Sequence, residues 1–408
     1  MTTPHRPSPR DEYVALSRRR FLQAMGGMAG MAAFAPLLSA CSGSSTASSG
    51  TASSGTSPGA SVSSASTGGG AKGTVKVSNW PAYIDTDRKL LAQFQAASGM
   101  KVEYVEDYND NNEYFAKVQP TLSSNQSIDR DIVTPTYWMA ARWIALGWAE
   151  KLPLDKIPNS VNLRDDLVKP AWDPTGEYTF PWLNFITAIG YNRKLTGRDL
   201  TSVNDLFDPA FRGKVTFLTE LRDTLGLMLL ADGKNPAKFQ LADTDAAFAK
   251  LDKAKRDGQI RAFTGNEYLQ DLSAGNIAAC VAYSGDVVQL SKENPDIKFI
   301  VPDEGAMLNT DVMLVPRSAA NVDGAAAWMN FFYDPKISAQ LVQAVNYISP
   351  VKGTIEELTA LGGSAAALVN SIAVNPTPAQ LAKLVVFKSL NEADEATLDE
   401  KFSKIVGA

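Results

Sequence analysis

Four acids and a group of large aromatics stand where side chains could act on a cation. "FLTELRD" carries Glu220 and Asp223, "NTDVML" carries Asp311, and "AYSGD" carries Tyr283 and Asp286. "NWPAY" supplies Trp80 and Tyr83, "TPTYW" supplies Tyr137 and Trp138, and "VNYISP" adds Tyr347. An aromatic face attracts an ammonium ion within about 6 Å of its centroid, by roughly 0.5 to 2 kcal/mol depending on desolvation. Carboxylates make charge-assisted hydrogen bonds to the same group. A box of both suits a linear cation whose methylenes stack on rings while its amines meet acids, which describes a polyamine. Taken singly, each residue has a plainer use. A strand-end Trp or Tyr serves a core or a rim, and Asp85, Glu220 and Asp286 stand near possible helix starts, where acids cap the helix and favour its dipole. The signal lies in the set.

Other chemistry is narrowed by what the chain lacks. Its one histidine is His5. If the N-terminal segment is removed on export, no histidine remains for a Ser-His-Asp or Cys-His triad or for a usual zinc site, so neither a cofactor nor a metal is expected. Cys280, in the apolar run "NIAACVAYSG", reads as a small buried hydrophobe. Carboxylate-only chemistry survives. A glycosidase using Glu220 or Asp223 with Asp311 as an acid/base pair is one alternative, another small cationic or zwitterionic solute is a second, and a tethered adhesin a third. The formal charge is −5. Residues 1–40 carry five Arg against Asp11 and Glu12, so the remainder stands at −8, a poor surface for nucleic acid.

The elements that must position these residues alternate. Strand Val75–Asn79 precedes a helical pattern of Leu90, Leu91, Phe94 and Ala97 that stops at Gly99; "KVEYVE", a helix around Tyr114, Phe115, Val118 and Leu122, and strand "DIVT" follow. That is βαβαβ, an α/β lobe with a largely parallel sheet. A second series runs from "TAIGYN" and "KVTFLTE" to "NIAACVAY" and "IKFIV", and "DVMLVP" reads as a further strand with Asp311 at its start. With no Gly- or Ser-rich linker after Gly73, two lobes sharing crossing strands are expected: residues 74–183 with 310–350, and 184–309 with 351–408. Ligands of open α/β sheets bind beyond the carboxyl ends of strands, where the aromatics and acids cluster.

The first 73 residues read differently. "SRRRFLQ" resembles a twin-arginine export signal, with Arg18 and Arg19 as the pair, and "LSAC" resembles the lipobox at which bacterial lipoproteins are cleaved and acylated on the cysteine, here Cys41. The apolar run between them is too short to span a bilayer permanently. Residues 1–40 are therefore expected to be a signal peptide. Residues 41–73, almost all Ser, Thr, Gly and Ala, are expected to be a disordered tether with an end-to-end distance of about 30 Å. The body would then be lipid-anchored on the outer face of the cytoplasmic membrane.

"NWPAYI", "YNDNNEYFAKV", "DIVTPTYW", "FPWLNFITAIGYN", "GKVTFLTELRD", "AYSGD", "NTDVMLVP" and "VNYISPV" resemble, in order, segments of the bacterial spermidine/putrescine-binding proteins of ABC importers, from about Val75 to Pro350. The resemblance implies a two-lobed type II periplasmic-binding-protein fold, α/β in class, with hinges near Pro181–Ala188 and Val301–Asp311. It also implies a monomer that captures a polyamine without reaction and delivers it to permease subunits. Carried over position by position, the family's binding residues fall on Trp80, Tyr83, Thr136, Trp138, Glu220, Asp223, Tyr283, Asp311 and Tyr347, with the chain one residue shorter near Glu220. Two departures stand out. Asn309 replaces the family's Trp two residues before the last acid, and the family's late glutamine has no equivalent.

Overall fold

The computed structural model describes residues 73–407. Arg18 and Arg19 of the expected signal, the expected acylation site Cys41 and the tether through residue 72 lie outside the described residues.

The first half of the body follows the sequence pattern closely. β1 (Thr74–Asn79) buries Val75 and Val77. α1 (Lys89–Ser98) turns Leu90 and Phe94 inward and ends at Gly99, whose φ of 73° lies in the left-handed region that glycine adopts without a Cβ penalty. The Asp85 carboxylate accepts a bond from the Leu90 N–H at the start of this helix. β2 (Lys101–Glu106) pairs parallel with β1. α2 (Asn111–Ser123) is capped by Asp110, whose carboxylate accepts from the Asn112 and Glu113 N–H groups, and buries Tyr114, Phe115, Val118 and Leu122. β3 (Ile132–Val133) leads into α3 (Tyr137–Ala145).

Two long strands then carry the chain between halves. β4 (Thr179–Asn192) is buried along its whole length. β5 (Val215–Leu218), α4 (Leu221–Ala231), α5 (Thr244–Arg256), β6 (Ile260–Thr264), α6 (Tyr268–Ala274), β7 (Ala279–Tyr283), α7 (Ser284–Glu293) and β8 (Ile297–Ile300) build the second half. β9 (Ala306–Leu314) returns antiparallel to β4. α8 (Val322–Phe332), α9 (Pro335–Val345) and α10 (Thr354–Leu361) follow, and β10 (Leu384–Val385) and α11 (Glu392–Val406) end the chain.

The ten strands form one sheet in the order β2-β1-β3-β9-β4-β7-β5-β6, with β10 on β9 and β8 on β4. Parallel pairs lie toward both edges, and the antiparallel β4/β9 pair joins them. This is the expected two-lobed α/β fold with crossing strands. One apolar core gathers Phe217, Leu225, Met228, Leu251, Val281 and Phe402 from the second half. Two others gather Val75, Phe94, Trp328 and Leu341, and Tyr114, Trp143 and Trp148, from the first.

Two details differ from the sequence reading. β9 begins at Ala306, so Asp311 lies inside the strand rather than at its start. The polar pair Asn309–Thr310 hides the strand's first half, which is held by pairing of Met307–Thr310 with Asn184–Thr187 of β4. Segment 351–374, assigned by sequence to the second lobe, packs Val351, Leu358, Ala365, Leu368 and Val374 into a core of the first; the later chain joins the second through buried Phe387, Leu398, Phe402 and Ile405 and partly buried Val385, Leu390 and Val406.

Asp173 sets where β4 begins. It is buried and accepts from the N–H groups of Gly176, Glu177, Tyr178 and Thr179 and from the hydroxyls of Thr175 and Thr179. Asp173→Ala strands several of these donors and is expected to cost about 3 kcal/mol, several degrees of melting temperature in thermal denaturation, whereas a loss below about 1 kcal/mol would show that water replaces the carboxylate.

Candidate functional site

The strand ends and helix starts of the two halves face each other across a cleft. All nine residues singled out from the sequence line it: Trp80, Tyr83, Thr136, Trp138, Glu220, Asp223, Tyr283, Asp311 and Tyr347. The cleft is narrow, with about 40 Å³ of open volume, room for a few waters at about 10–15 Å³ each.

Asp311 anchors the side formed by the first half. Its Oδ1 accepts a 2.7 Å bond from Thr136 Oγ1. Thr136 is itself fixed by Asn111, which donates from Nδ2 to Thr136 Oγ1 (2.9 Å) and accepts at Oδ1 from the Thr136 N–H (3.1 Å). The Tyr83 hydroxyl lies close to Asp311 but is buried without a well-formed hydrogen bond. Its ring meets that of Tyr347 edge-on at 5.1 Å. Trp80 donates from Nε1 to the Thr134 carbonyl at 2.8 Å and packs at 5.0 Å against Tyr108.

The second half contributes through the starts of α4 and α7. Glu220 is the N-cap of α4, accepting from the Arg222 N–H at 3.2 Å, and Asp223 sits in the first turn. Asp223 Oδ1 accepts a 2.7 Å bond from Asn309 Nδ2, which also donates to Thr187 Oγ1 at 3.0 Å. The residue that departs from the family pattern is therefore tied to a candidate ligand acid. Tyr283 ends β7, its ring edge-on to Phe185 at 5.2 Å. Asp286 also lines the cleft, but both its oxygens are engaged, by Tyr268 (2.9 Å) and Tyr347 (2.6 Å) hydroxyls. It positions Tyr347 rather than capping α7. α7 comes this close because residue 285 is glycine; a Cβ there would stand 2.6 Å from the Tyr347 ring.

Arg222 was not anticipated. Its guanidinium lies 3.6 Å from the centre of the Trp138 ring and 2.7 Å from Glu395 of α11. One face of Trp138 is thus already covered by a cation, and that cation is paired. The sequence signal was the arginine between Glu220 and Asp223, but nothing local reveals that it reaches Trp138. Asn111 was likewise missed, because its role exists only through Thr136.

Burial leaves the acids short of compensating charge. It pushes the Glu220 carboxyl up to about 8, with Arg222 opposing and Asp223 and Asp110 reinforcing the shift. Burial takes Asp311 up to about 7 against the Thr136 and Tyr83 hydroxyls, with Asp223 adding repulsion. Asp223 rises to about 6, again through burial, against the polar groups of Thr187, Asn309 and Tyr283. Among the described residues no cluster of His, Cys, Asp and Glu is arranged to hold a metal ion. Cys280 lies outside the cleft lining, with its thiol buried and pushed well up. The arrangement can bind a cation between aromatic walls by supplying the charge its buried acids lack.

The family model for bacterial extracellular solute-binding proteins matches residues 89–361. The chain is 28% identical over 355 residues to the putrescine-binding periplasmic protein SpuD of Pseudomonas aeruginosa, covering 81% of this chain and 90% of that protein. It is 25% identical over 273 residues to the spermidine/putrescine-binding periplasmic protein of Escherichia coli, covering 67% and 76% respectively. Among solved structures, the spermidine/putrescine ABC transporter substrate-binding protein PotD of Streptococcus pneumoniae aligns with a TM-score of 0.67 at 22% identity, over 81% of this chain and 98% of that one, a likeness of fold.

The raised acids give the ligand-free protein a pH signature. Each is near 4 in the unfolded chain and higher in the folded one, so the stability their neutral forms permit is fully present below about pH 4 and is lost as pH rises through about 6 to 8. Melting temperature should therefore contain a component that falls between about pH 5 and pH 8, and Asp311→Asn, which cannot ionise, should flatten it. A variant whose pH–melting curve parallels the parent's would show that Asp311 ionises as freely in the folded chain as in the unfolded one.

Proposed function

Because the chain belongs to the bacterial extracellular solute-binding protein family, we propose that it captures a polyamine, putrescine or spermidine, between its lobes and hands it to the permease of an ABC importer. The observation that carries this reading is the presence of three largely buried carboxylates with raised protonation inside one aromatic-walled cleft, served by a single arginine that is shared among Glu395, the Trp138 ring and, at 3.9 Å, Glu220. Ammonium groups would bind Asp311 on one side and Glu220 and Asp223 on the other. Trp80, Tyr83, Tyr283, Tyr347 and the free face of Trp138 would flank the methylenes, with Thr136 holding Asp311 in place. The relatives' names, putrescine-binding and spermidine/putrescine-binding, support the class.

Capture would proceed by lobe closure about β4 and β9, with no bond made or broken. Membership in a solute-binding family weighs against the glycosidase alternative. The protein would leave the cytoplasm by the twin-arginine route and work as a monomer held to the outer face of the membrane through acylated Cys41.

Melting temperature in the presence of putrescine and of spermidine, with an amino acid and a sugar as controls, tests the ligand class. An amine at about 100 times its Kd adds about 2.7 kcal/mol of apparent stability and should raise the melting temperature by several degrees. Asp311→Ala should weaken that amine by about 2 kcal/mol, some thirtyfold. No shift with either amine at millimolar concentration would remove the polyamine reading and leave the family and fold standing. For the anchor, Cys41→Ser should release the protein from the membrane fraction into the soluble one; unchanged membrane association would rule out acylation at that residue.

A further inference from the structure

Arg222 is placed as capture of a cation alone does not require. Trp138 and Arg222 both line the cleft, from opposite walls. Trp138 stands in α3, whose Tyr137, Trp138 and Trp143 belong to a core of the first half. Arg222 stands in α4, whose Leu221 and Leu225 belong to the core of the second. The guanidinium carbon lies 3.6 Å from the centre of the Trp138 ring, so this contact joins the two halves across the cleft.

The cation is fixed on its own side. Glu395 of α11 accepts from Arg222 at 2.7 Å, and α11 packs Leu398 and Phe402 into the same second-half core. A spacing of four residues puts Asp399 beside Glu395 on one face of α11, and Arg142 beside Trp138 on one face of α3. Asp399 feels the positive charge of both Arg222 and Arg142, so these two faces look at each other. Next to Trp138, Tyr137 donates to the Phe387 carbonyl of the second half at 3.2 Å. Arg222 is 5% and Trp138 8% exposed, and a cation over an indole gains most where water is excluded. Because Glu395 holds the guanidinium to the second half, a parting of the walls separates it from the Trp138 ring.

We propose that Arg222 is a closure latch, a positioning residue held by Glu395 that docks on Trp138 when the lobes close and slows release of the solute between them. This rests on the lobe closure proposed above, and not on the identity of the solute. The two faces of Trp138 then have different uses, one for the latch and one for the ligand. The latch opposes simple electrostatics. By charge alone, a cation in the cleft wall disfavours an ammonium ligand, so its removal would tighten binding. As a latch, its removal loosens binding. Lysine replaces it only in part, because an ammonium lacks the planar guanidinium that lies over a ring.

Hydrogen–deuterium exchange on the full chain without ligand reads the latch directly. Arg222→Met should speed exchange about tenfold at the starts of α3 and α4, the facing walls, while β5 in the second-half core keeps the parent's rate. Trp138→Leu should do the same, and the double variant should add nothing to either single one, since both remove one contact. No acceleration in the single variants, or additive acceleration in the double one, overturns the latch. If β5 also exchanges faster, Arg222→Met has disturbed the fold, and Glu395→Gln decides: a smaller acceleration confined to the two walls supports the latch, and parent rates overturn it. With putrescine and spermidine, Arg222→Met should raise both dissociation constants by one common factor, about tenfold and mostly through faster release, and Arg222→Lys should recover part of the loss. Tighter binding in Arg222→Met, or a changed preference between the amines, would show that Arg222 acts on the ligand as a charge and would overturn the latch. If neither amine binds the parent chain, the polyamine reading fails, and the exchange rates still judge the latch.

Discussion

The antiparallel pairing of β4 with β9 is the constraint on which the rest of the molecule depends. These strands cross from one half to the other, and their register places Asp311 opposite Leu183 and Asn309 opposite Phe185. Because successive side chains point to opposite faces, a slip of one residue would turn Asn309 and Asp311 away from the cleft and bring Leu308 and Thr310 into it. The register shift between Pro181 and Leu183 adjusts the phase where the strands enter the first half. Proline suits such a place, since it has no N–H to give to a regular ladder.

Around that pair the site is assembled by indirect support. Asn111 holds Thr136, Thr136 holds Asp311, Asn309 bridges Thr187 and Asp223, and Asp286 holds Tyr347. None of these bonds cancels the charge of an ionised acid at Glu220, Asp223 or Asp311. Removing carboxylates from water without a cation is costly, and the protein answers by holding them partly protonated. Arg222 relieves this only in part, because its guanidinium is shared between Trp138, Glu395 at 2.7 Å and Glu220 at 3.9 Å. The cleft is folded short of positive charge, the condition under which a cationic solute gains most by arriving.

The departure at Asn309 acquires a physical meaning in this setting. A tryptophan there would wall the cleft with an aromatic face; the asparagine donates an amide hydrogen to Asp223 and so ties a strand residue to the first turn of α4. Its direct bond is to Asp223, whereas Asp311 is held separately by Thr136.

Periodicity made most of the framework legible: β1, α1, β2, α2 and β7 all lie where alternation and helical spacing put them, because a strand or helix buried on one side must repeat its apolar residues at its own period. It failed at β9, where Asn309 and Thr310 interrupt the apolar pattern with side chains that hydrogen-bond to Asp223 and Asn184, and at segment 351–374, whose helices carry no mark of which core they join. The sequence by itself pointed to the class of chemistry, by offering aromatics and acids in quantity with a single histidine near its start, and it marked nine of the side chains that line the cleft. Only the tertiary structure decided which acids burial drives toward protonation and that Arg222 covers Trp138. Those facts rest on contacts such as Thr136 to Asp311, 175 residues apart in the chain, and no local pattern encodes the distance between two segments that meet only when folded.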